Sequence, residues 1–373
     1  MQRRQFLATT ISLGAAPLLA QTGATNTNPA PKAEPGPVWH DPKTWGVEGR
    51  ICGDAVRERW YDRLPADAKP KVTEPVWSLS RHSAGMAVRF RTNSPVIHVR
   101  YKLLLDTLAM PHMPATGASG VDLYAKAPDG KWRWVAVNKP ASKDISTVMI
   151  RGISEEEREW MMYLPLFNCV DSLEIGVKEG STFQGLAPRT EKQAIFYGTS
   201  ITHGACASRP GMTHVAILGR RLDIPTVNLG FSGNGKMDAA VGDFLVQTDP
   251  AVFVIDCLPN MSPADITART IPLVKQLRAK HPATPILLVE NRRHTQSWID
   301  SSLQTLNTAK QAAMKAEFDK LKSEGIGNLH YLHGDALLGD DSDGATDGSH
   351  PNDLGFFRQA NAFEPVLRKI LKL

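Results

Sequence analysis

Ala194-Ile195-Phe196-Tyr197-Gly198-Thr199-Ser200-Ile201-Thr202-His203-Gly204 is the stretch whose reading decides the fold of this chain. Four apolar or aromatic residues in succession read as a buried strand, and the Gly-Thr-Ser behind them is where such a strand turns. The carboxyl ends of strands in an open α/β sheet form the rim at which ligands bind, so Ser200 is a candidate nucleophile. A serine hydroxyl needs a base to take its proton, a group to orient that base and donors for the developing oxyanion. Without them the segment is an ordinary strand-ending turn.

From Gln193 onward, apolar runs at Ala194–Tyr197, Thr226–Leu229, Ala251–Cys257, Ile286–Glu290 and Leu329–Leu332 alternate with helical patterns. The helices are expected at Met212–Leu222, Met237–Val246, Ile266–Lys280, Leu303–Glu324 and Leu354–Leu371. Repeated strand-then-helix units predict a parallel sheet with helices on both faces, in which every strand ends at one rim. After the second strand comes Gly230-Phe231-Ser232-Gly233-Asn234-Gly235, after the third Leu258-Pro259-Asn260-Met261, and after the fifth a loop with Asp347-Gly348-Ser349-His350. Together they supply the parts of an acyl-transfer site. Two loop residues three apart can fold so that a carboxylate meets the imidazole Nδ1–H, leaving Nε2 to face the serine. Asp343 competes for the carboxylate role but is seven residues from His350 and needs a wider loop.

Upstream, from about residue 38 to 189, the pattern is mostly of period two. Met86–Arg91, Val96–Tyr101, Val121–Tyr124 and Trp132–Val137 alternate or nearly so, with turn signals at Asn93-Ser94-Pro95 and Pro128-Asp129-Gly130. Short strands with spaced turns predict a β-sandwich, its aromatics either packing the core or stacking on sugar rings. His112 lies in a Pro-rich loop, Met110-Pro111-His112-Met113-Pro114, without a visible partner. The short junction Gly185–Lys192 leads us to expect the sandwich to pack against the catalytic rim.

Gly198-Thr199-Ser200, Gly233 with Asn234, Asn260 and Asp347-x-x-His350 resemble, in order, the four sequence blocks of the SGNH (GDSL-type) hydrolase superfamily. Cys206-Ala207-Ser208-Arg209-Pro210-Gly211 and Asn228–Gly235 look like one branch of it, and Gly120-Val121-Asp122-Leu123-Tyr124 resembles the G-x-D-L-Y signature of the β-sandwich preceding the hydrolase there. The resemblance covers nearly all of the chain beyond residue 37. It implies a flavodoxin-like hydrolase domain over 190–373 behind a jelly-roll-like domain over 38–189. It also implies Ser200 as nucleophile, His350 as general base and then acid, and Asp347 orienting it. The oxyanion donors would be the backbone N–H groups of Ser200 and Gly233 and the Asn260 amide. Two departures stand out: Gly-Thr-Ser replaces Gly-Asp-Ser, and Leu258-Pro259-Asn260-Met261 replaces Gly-x-Asn-Asp.

Competing readings are weaker. Gly230 to Lys236 fits a phosphate-binding G-x-x-x-x-G-K, but Met237 stands where Mg²⁺ needs a Ser or Thr. An α/β-hydrolase would need a second glycine after the serine and keeps its Asp and His far apart. His203, three residues past the nucleophile, reads as a capping or packing residue. One of Arg292, Arg293 and His294 could touch substrate, although a solvated loop is the simpler reading. A lipase is disfavoured because no long apolar lid segment lies near the site.

Arg3-Arg4-Gln5-Phe6-Leu7 and the short apolar run to Ala20 resemble a Tat export signal over residues 1–20, with cleavage after Ala20 or Ala24, and 21–37 read as a linker. The expected location is therefore periplasmic or secreted. Loss of Arg3 and Arg4 lowers the formal charge from +5 to about +3. Without Lys/Arg blocks that argues against a nucleic-acid or membrane-surface partner, and no segment is long enough to span a membrane. The four cysteines are scattered, without a Cys-x-x-Cys pair, so a structural zinc site is not expected and buried free thiols are favoured over disulfides. No metal or cofactor is implied. The expected function is a serine esterase removing short acyl groups, chiefly acetyl, from a small-molecule or polysaccharide ester. A general short-chain acylhydrolase and an inactive carbohydrate-binding protein are the alternatives, and the oligomeric state stays open.

Overall fold

The computed structural model describes residues 36–373 apart from Asp54, and these form one compact unit. Residues 1–20, read above as an export signal, and 21–35 of the expected linker lie outside the described residues. Three sheets carry the fold.

Two antiparallel sheets face each other in the first half. One has the order β1-β8-β3-β6, from Val38–His40, Val170–Val177, Val96–Leu103 and Asp144–Arg151. The other runs β5-β4-β7-β2-β9, from Trp132–Val137, Asp122–Lys126, Arg158–Tyr163, Ala87–Thr92 and Phe183–Leu186. Alternate residues of the strands, among them Val88, Phe90, Ile97, Val99, Leu123, Trp160 and Ile175, meet in one apolar core. This is the sandwich that the period-two pattern dictates.

The second half is a five-stranded parallel sheet. Its strands are β10 (Ala194–Gly198), β11 (Thr226–Gly230), β12 (Val252–Asp256), β13 (Ile286–Val289) and β14 (Leu329–Leu332), in the order β11-β10-β12-β13-β14. Because side chains alternate across a strand, Ile195, Tyr197, Phe253 and Ile255 pack on one face, against α5 (Ala239–Leu245), α6 (Pro263–Lys280) and α7 (Ser301–Ser323). Ala194, Phe196, Val252 and Val254 pack on the other, against α4 (His214–Leu222) and α8 (Asp353–Leu371). Helix α6 begins three residues earlier than its apolar period suggests, because Ser262 and Asp265 form a capping box there.

The register positions the site. Gly198 lies level with Gly230 on one side and Asp256 on the other, so the segments leaving three adjacent strands emerge side by side.

The sandwich packs against this edge of the sheet. Arg63, fully buried, donates to the carbonyls of Asn228 (2.6 Å) and Gly230 (3.1 Å) at the end of β11 and to His82 O (2.8 Å) on its own side. Ile51, Leu64, Val76 and Trp77, which precede most sandwich strands, belong to the apolar cluster of the parallel sheet. Burial alone lowers the Arg63 pKa to about 9, since carbonyls stand where a carboxylate would be. All four cysteines are free, three of them buried. No helix among the described residues is long and apolar enough to cross a membrane.

Candidate active site

Strand β10 ends at Gly198, Thr199 caps the short helix α3 (Ser200–His203) by accepting from Ile201 N–H at 3.3 Å, and Ser200 is the first helical residue. A serine there keeps its own N–H outside the helix ladder. Ser200 is 7 % exposed, and its Oγ lies 2.8 Å from His350 Nε2.

His350 comes from the loop between β14 and α8. Its Nδ1 is 2.7 Å from Asp347 Oδ2, while Asp347 Oδ1 accepts from the backbone N–H of His350 (2.8 Å) and Ser349 (3.1 Å). One carboxylate thus folds the loop and orients the ring. Burial raises the Asp347 pKa, but the His350 and Ser349 hydrogen bonds outweigh it and hold the carboxyl down at about 2. Asp343 makes no such contact; its carbonyl accepts from Asn352 Nδ2 at 2.7 Å.

The oxyanion candidates surround the serine turn. Among the described residues neither the Ser200 nor the Gly233 N–H has an acceptor. Gly233 adopts φ +70°, a backbone conformation that glycine takes without strain, and a Cβ built on it meets nothing within 4 Å. The Asn260 side-chain oxygen, in the orientation that satisfies it, accepts from Asn234 N–H (3.1 Å) and Gly235 N–H (3.2 Å). Both amide hydrogens of Asn260 are thereby left for another acceptor. The same geometry removes the phosphate-loop reading: Phe231 N–H donates to Gly198 O at 2.9 Å, and Asn234 and Gly235 N–H also bond Phe231 O. The loop is folded onto the serine turn instead of opening around an anion.

Several contacts escaped the sequence reading. Arg292, expected in a solvated loop, is buried and pairs with both oxygens of buried Asp256 at 2.9 Å, while Thr202 Oγ1 reaches Asp256 Oδ2 at 3.3 Å. Arg293 instead pairs with Asp335 at the surface, and His294 meets Asn307. Asn228 donates to Thr202 O (2.6 Å) and accepts from Gly230 N–H (2.9 Å), tying β11 to the nucleophile helix. His203 packs, as expected: it is fully buried, stacks on Phe167 (4.1 Å, 11°) and donates from Nε2 to Leu166 O at 2.6 Å. An asparagine inside a buried strand, and an arginine following one, were the signals that local reading could have used.

The G-x-D-L-Y stretch gains a physical role. Buried Asp122 accepts from Gly211 N–H (2.8 Å), Arg209 Nη1 (3.0 Å) and Trp134 Nε1 (2.9 Å), and Tyr124 hydroxyl meets Arg209. A Cβ at Gly211 would come within 2.4 Å of the Tyr124 ring, so only glycine fits under the clamp. The sandwich thereby pins the Cys206–Gly211 turn. Burial pushes the Cys206 thiol up to about 11 against the pull of a hydrogen bond with Thr346.

A flavodoxin-like sheet with a serine, an imidazole and a carboxylate hydrogen-bonded in line at its carboxyl edge has the arrangement that hydrolases with a serine nucleophile use. The model of the GDSL-like lipase/acylhydrolase family matches residues 191–368, and that of the N-terminus of SGNH-hydro-type esterases matches 37–183. A crystal structure described as a GDSL-like lipase from Bacteroides ovatus is 34 % identical, with 90 % of this chain and 98 % of that one covered and a TM-score of 0.85. The chain belongs to this GDSL-like, SGNH-type esterase family. At lower identity the fold is shared with a salicylyl-acyltransferase from a tetracycline biosynthetic pathway (18 %, 90 % and 97 % covered, TM-score 0.71). It is shared too with a family two carbohydrate esterase from Cellvibrio japonicus (14 %, 90 % and 98 %, 0.56). No curated protein matches the chain in the same kind of comparison.

Proposed function

We propose that the protein is an exported serine esterase that releases short acyl groups, chiefly acetyl, from carbohydrate esters. The observation that carries this reading is the hydrogen-bonded line Ser200 Oγ to His350 Nε2 (2.8 Å) and His350 Nδ1 to Asp347 Oδ2 (2.7 Å). In it His350 takes the Ser200 proton as the hydroxyl attacks the ester carbonyl, then gives it to the leaving sugar alkoxide. The oxyanion is met by the N–H of Ser200 and Gly233 and the amide of Asn260. A water deprotonated by His350 then attacks the acyl-enzyme and returns the serine.

The carbohydrate part rests on the export-type N-terminus, on the sandwich against the site, and on a shared fold with carbohydrate esterases, one of them from Clostridium thermocellum in complex with cellohexaose. Fold likeness does not fix a substrate, so the substrate panel decides it. Mature protein and Ser200→Ala are compared for acetate release from p-nitrophenyl acetate and from acetylated polysaccharides. The expected result is a loss of about 10⁴-fold or more in Ser200→Ala on both. Release confined to the small ester would leave a general short-chain acylhydrolase. Equal rates in both proteins would leave a carbohydrate-binding protein.

A further inference from the structure

Two residues with chemistry to offer stand beside the triad and take no part in the reading above. His112 comes from the sandwich. The tight turn Met110–Met113, closed by two backbone hydrogen bonds of 2.9 and 3.0 Å, presents it, and buried Met113 anchors that turn among Ile201, Ala205 and Ala207 of the nucleophile segment. The His112 ring meets the His350 ring edge-on, centroids 5.6 Å apart at 69°, and its nitrogens have no hydrogen-bond partner among the described residues. Cys206 comes from the turn pinned by Asp122. It is 6 % exposed and adopts φ +71°, a left-handed conformation costly for a side-chain-bearing residue.

One ligand atom from each of His112, Cys206, Asp347 and His350 can be chosen so that all four lie within 4.8 Å of one another. In a tetrahedral zinc site with bonds of about 2.0–2.3 Å, the ligand atoms stand roughly 3.5 Å apart, so small side-chain rotations close the sphere. Two imidazoles, a thiol and a carboxylate form a borderline-soft donor set, suited to Zn²⁺ and not to Mg²⁺ or Ca²⁺.

We propose that these four residues form a zinc-binding site that switches the esterase off. On binding, the Cys206 thiol gives its proton to solvent and its sulfur bonds the metal; nothing is oxidised or reduced. Whichever nitrogen His350 commits, its contact with Ser200 or with Asp347 is lost. With four protein ligands the sphere is closed and has no place for an activated water, so the site inhibits and does not catalyse. His112 makes the sandwich part of the switch. The effect on activity rests on the esterase reading above; the binding does not.

The test titrates chelator-treated mature protein with Zn²⁺ against a chromophoric chelator, and with Co²⁺ followed by absorption spectroscopy. The expected result is a single tight site, a cobalt–thiolate charge-transfer band, and loss of p-nitrophenyl acetate hydrolysis in proportion to occupancy, restored by chelator. His112→Asn and Cys206→Ser should keep their metal-free activity while each binds at least about tenfold more weakly, and Cys206→Ser should lose the charge-transfer band. Ser200→Ala should bind metal like the parent, which separates failure of this proposal from failure of the esterase reading. Absence of the thiolate band, or affinity unchanged in His112→Asn, which sits on a surface turn and does not threaten folding, overturns the proposal.

Discussion

Asn260 shows how much one side chain decides. Its oxygen is taken up by the Asn234 and Gly235 amides, so its NH₂ is aimed by the same loop that carries Gly233. The missing aspartate of the usual Gly-x-Asn-Asp therefore does not leave Asn260 unheld; backbone amides do the holding. We expect Asn260→Ala to lower kcat by about 10²–10³ with little change in KM, since the donor acts on the oxyanion and not on the ground-state carbonyl. A kcat within threefold of the parent would remove Asn260 from the oxyanion site. The residue types and order of Ser200, Asp347 and His350 were legible in the sequence because a three-residue Asp–His spacing is a local geometric statement. Arg292 was not: whether an arginine after a strand meets water or Asp256 depends on a neighbouring strand.

Among the elements, the parallel strands were legible almost to their ends because most are buried on both faces and read as short, largely apolar runs; β11 and β14 carry a polar residue inside the run. The sandwich was legible only in part. Strand β7 shows no period of two, since Met161 and Tyr163 on its outer face pack with Ala216 of α4 while Trp160 and Met162 face the sandwich core. Contact with a second layer erased the alternation. The Asp122 clamp is likewise an arrangement between elements, joining β4 to the Cys206–Gly211 turn. Asp122→Ala leaves Arg209 without its buried partner and the Gly211 amide without an acceptor. We expect a loss of about 2–4 kcal/mol, at the low end of buried-pair values because Arg209 keeps some solvent contact, and a calorimetric Tm several degrees lower. An unchanged Tm would show that the turn holds itself.

At the scale of the whole molecule, the seam between sandwich and α/β layer, and the interior of that layer, are where acid should act. His82 and His203 meet across the seam (His82 Nδ1 to His203 Nε2, 3.3 Å), and His214, inside the α/β layer, is enclosed by Phe356, Phe363 and Phe196 with neither nitrogen partnered among the described residues. Burial lowers the pKa of His82 and of His214 from 6.5 to about 3 and takes His203 well below 6.5, with nearby Arg63 or Arg292 adding to the effect. Since the folded values are depressed, the unfolded chain binds protons that the folded one refuses. Stability is therefore full above 6.5 and falls as pH drops from there toward the folded values, by up to about 1.4 kcal/mol per pH unit for each histidine. Urea midpoints measured between about pH 7 and pH 5 should decline steeply, and His214→Phe, which keeps the aromatic stack, should reduce the slope by about a third. A midpoint independent of pH over that interval would rule the mechanism out.

By itself the sequence determined the layer types, the strand order of the chemistry and the identity of the residues at the rim, because hydrophobic period, turn residues and short-range spacing are local properties of a chain. Tertiary structure alone decided the contacts that no local pattern announces. Arg63 on the β11 carbonyls, Asp122 under the Cys206–Gly211 turn, Arg292 on Asp256 and His112 against His350 each join segments dozens of residues apart. Such contacts follow from how packed elements bury their remaining polar groups against one another, and a buried group takes whichever partner the packing brings within reach.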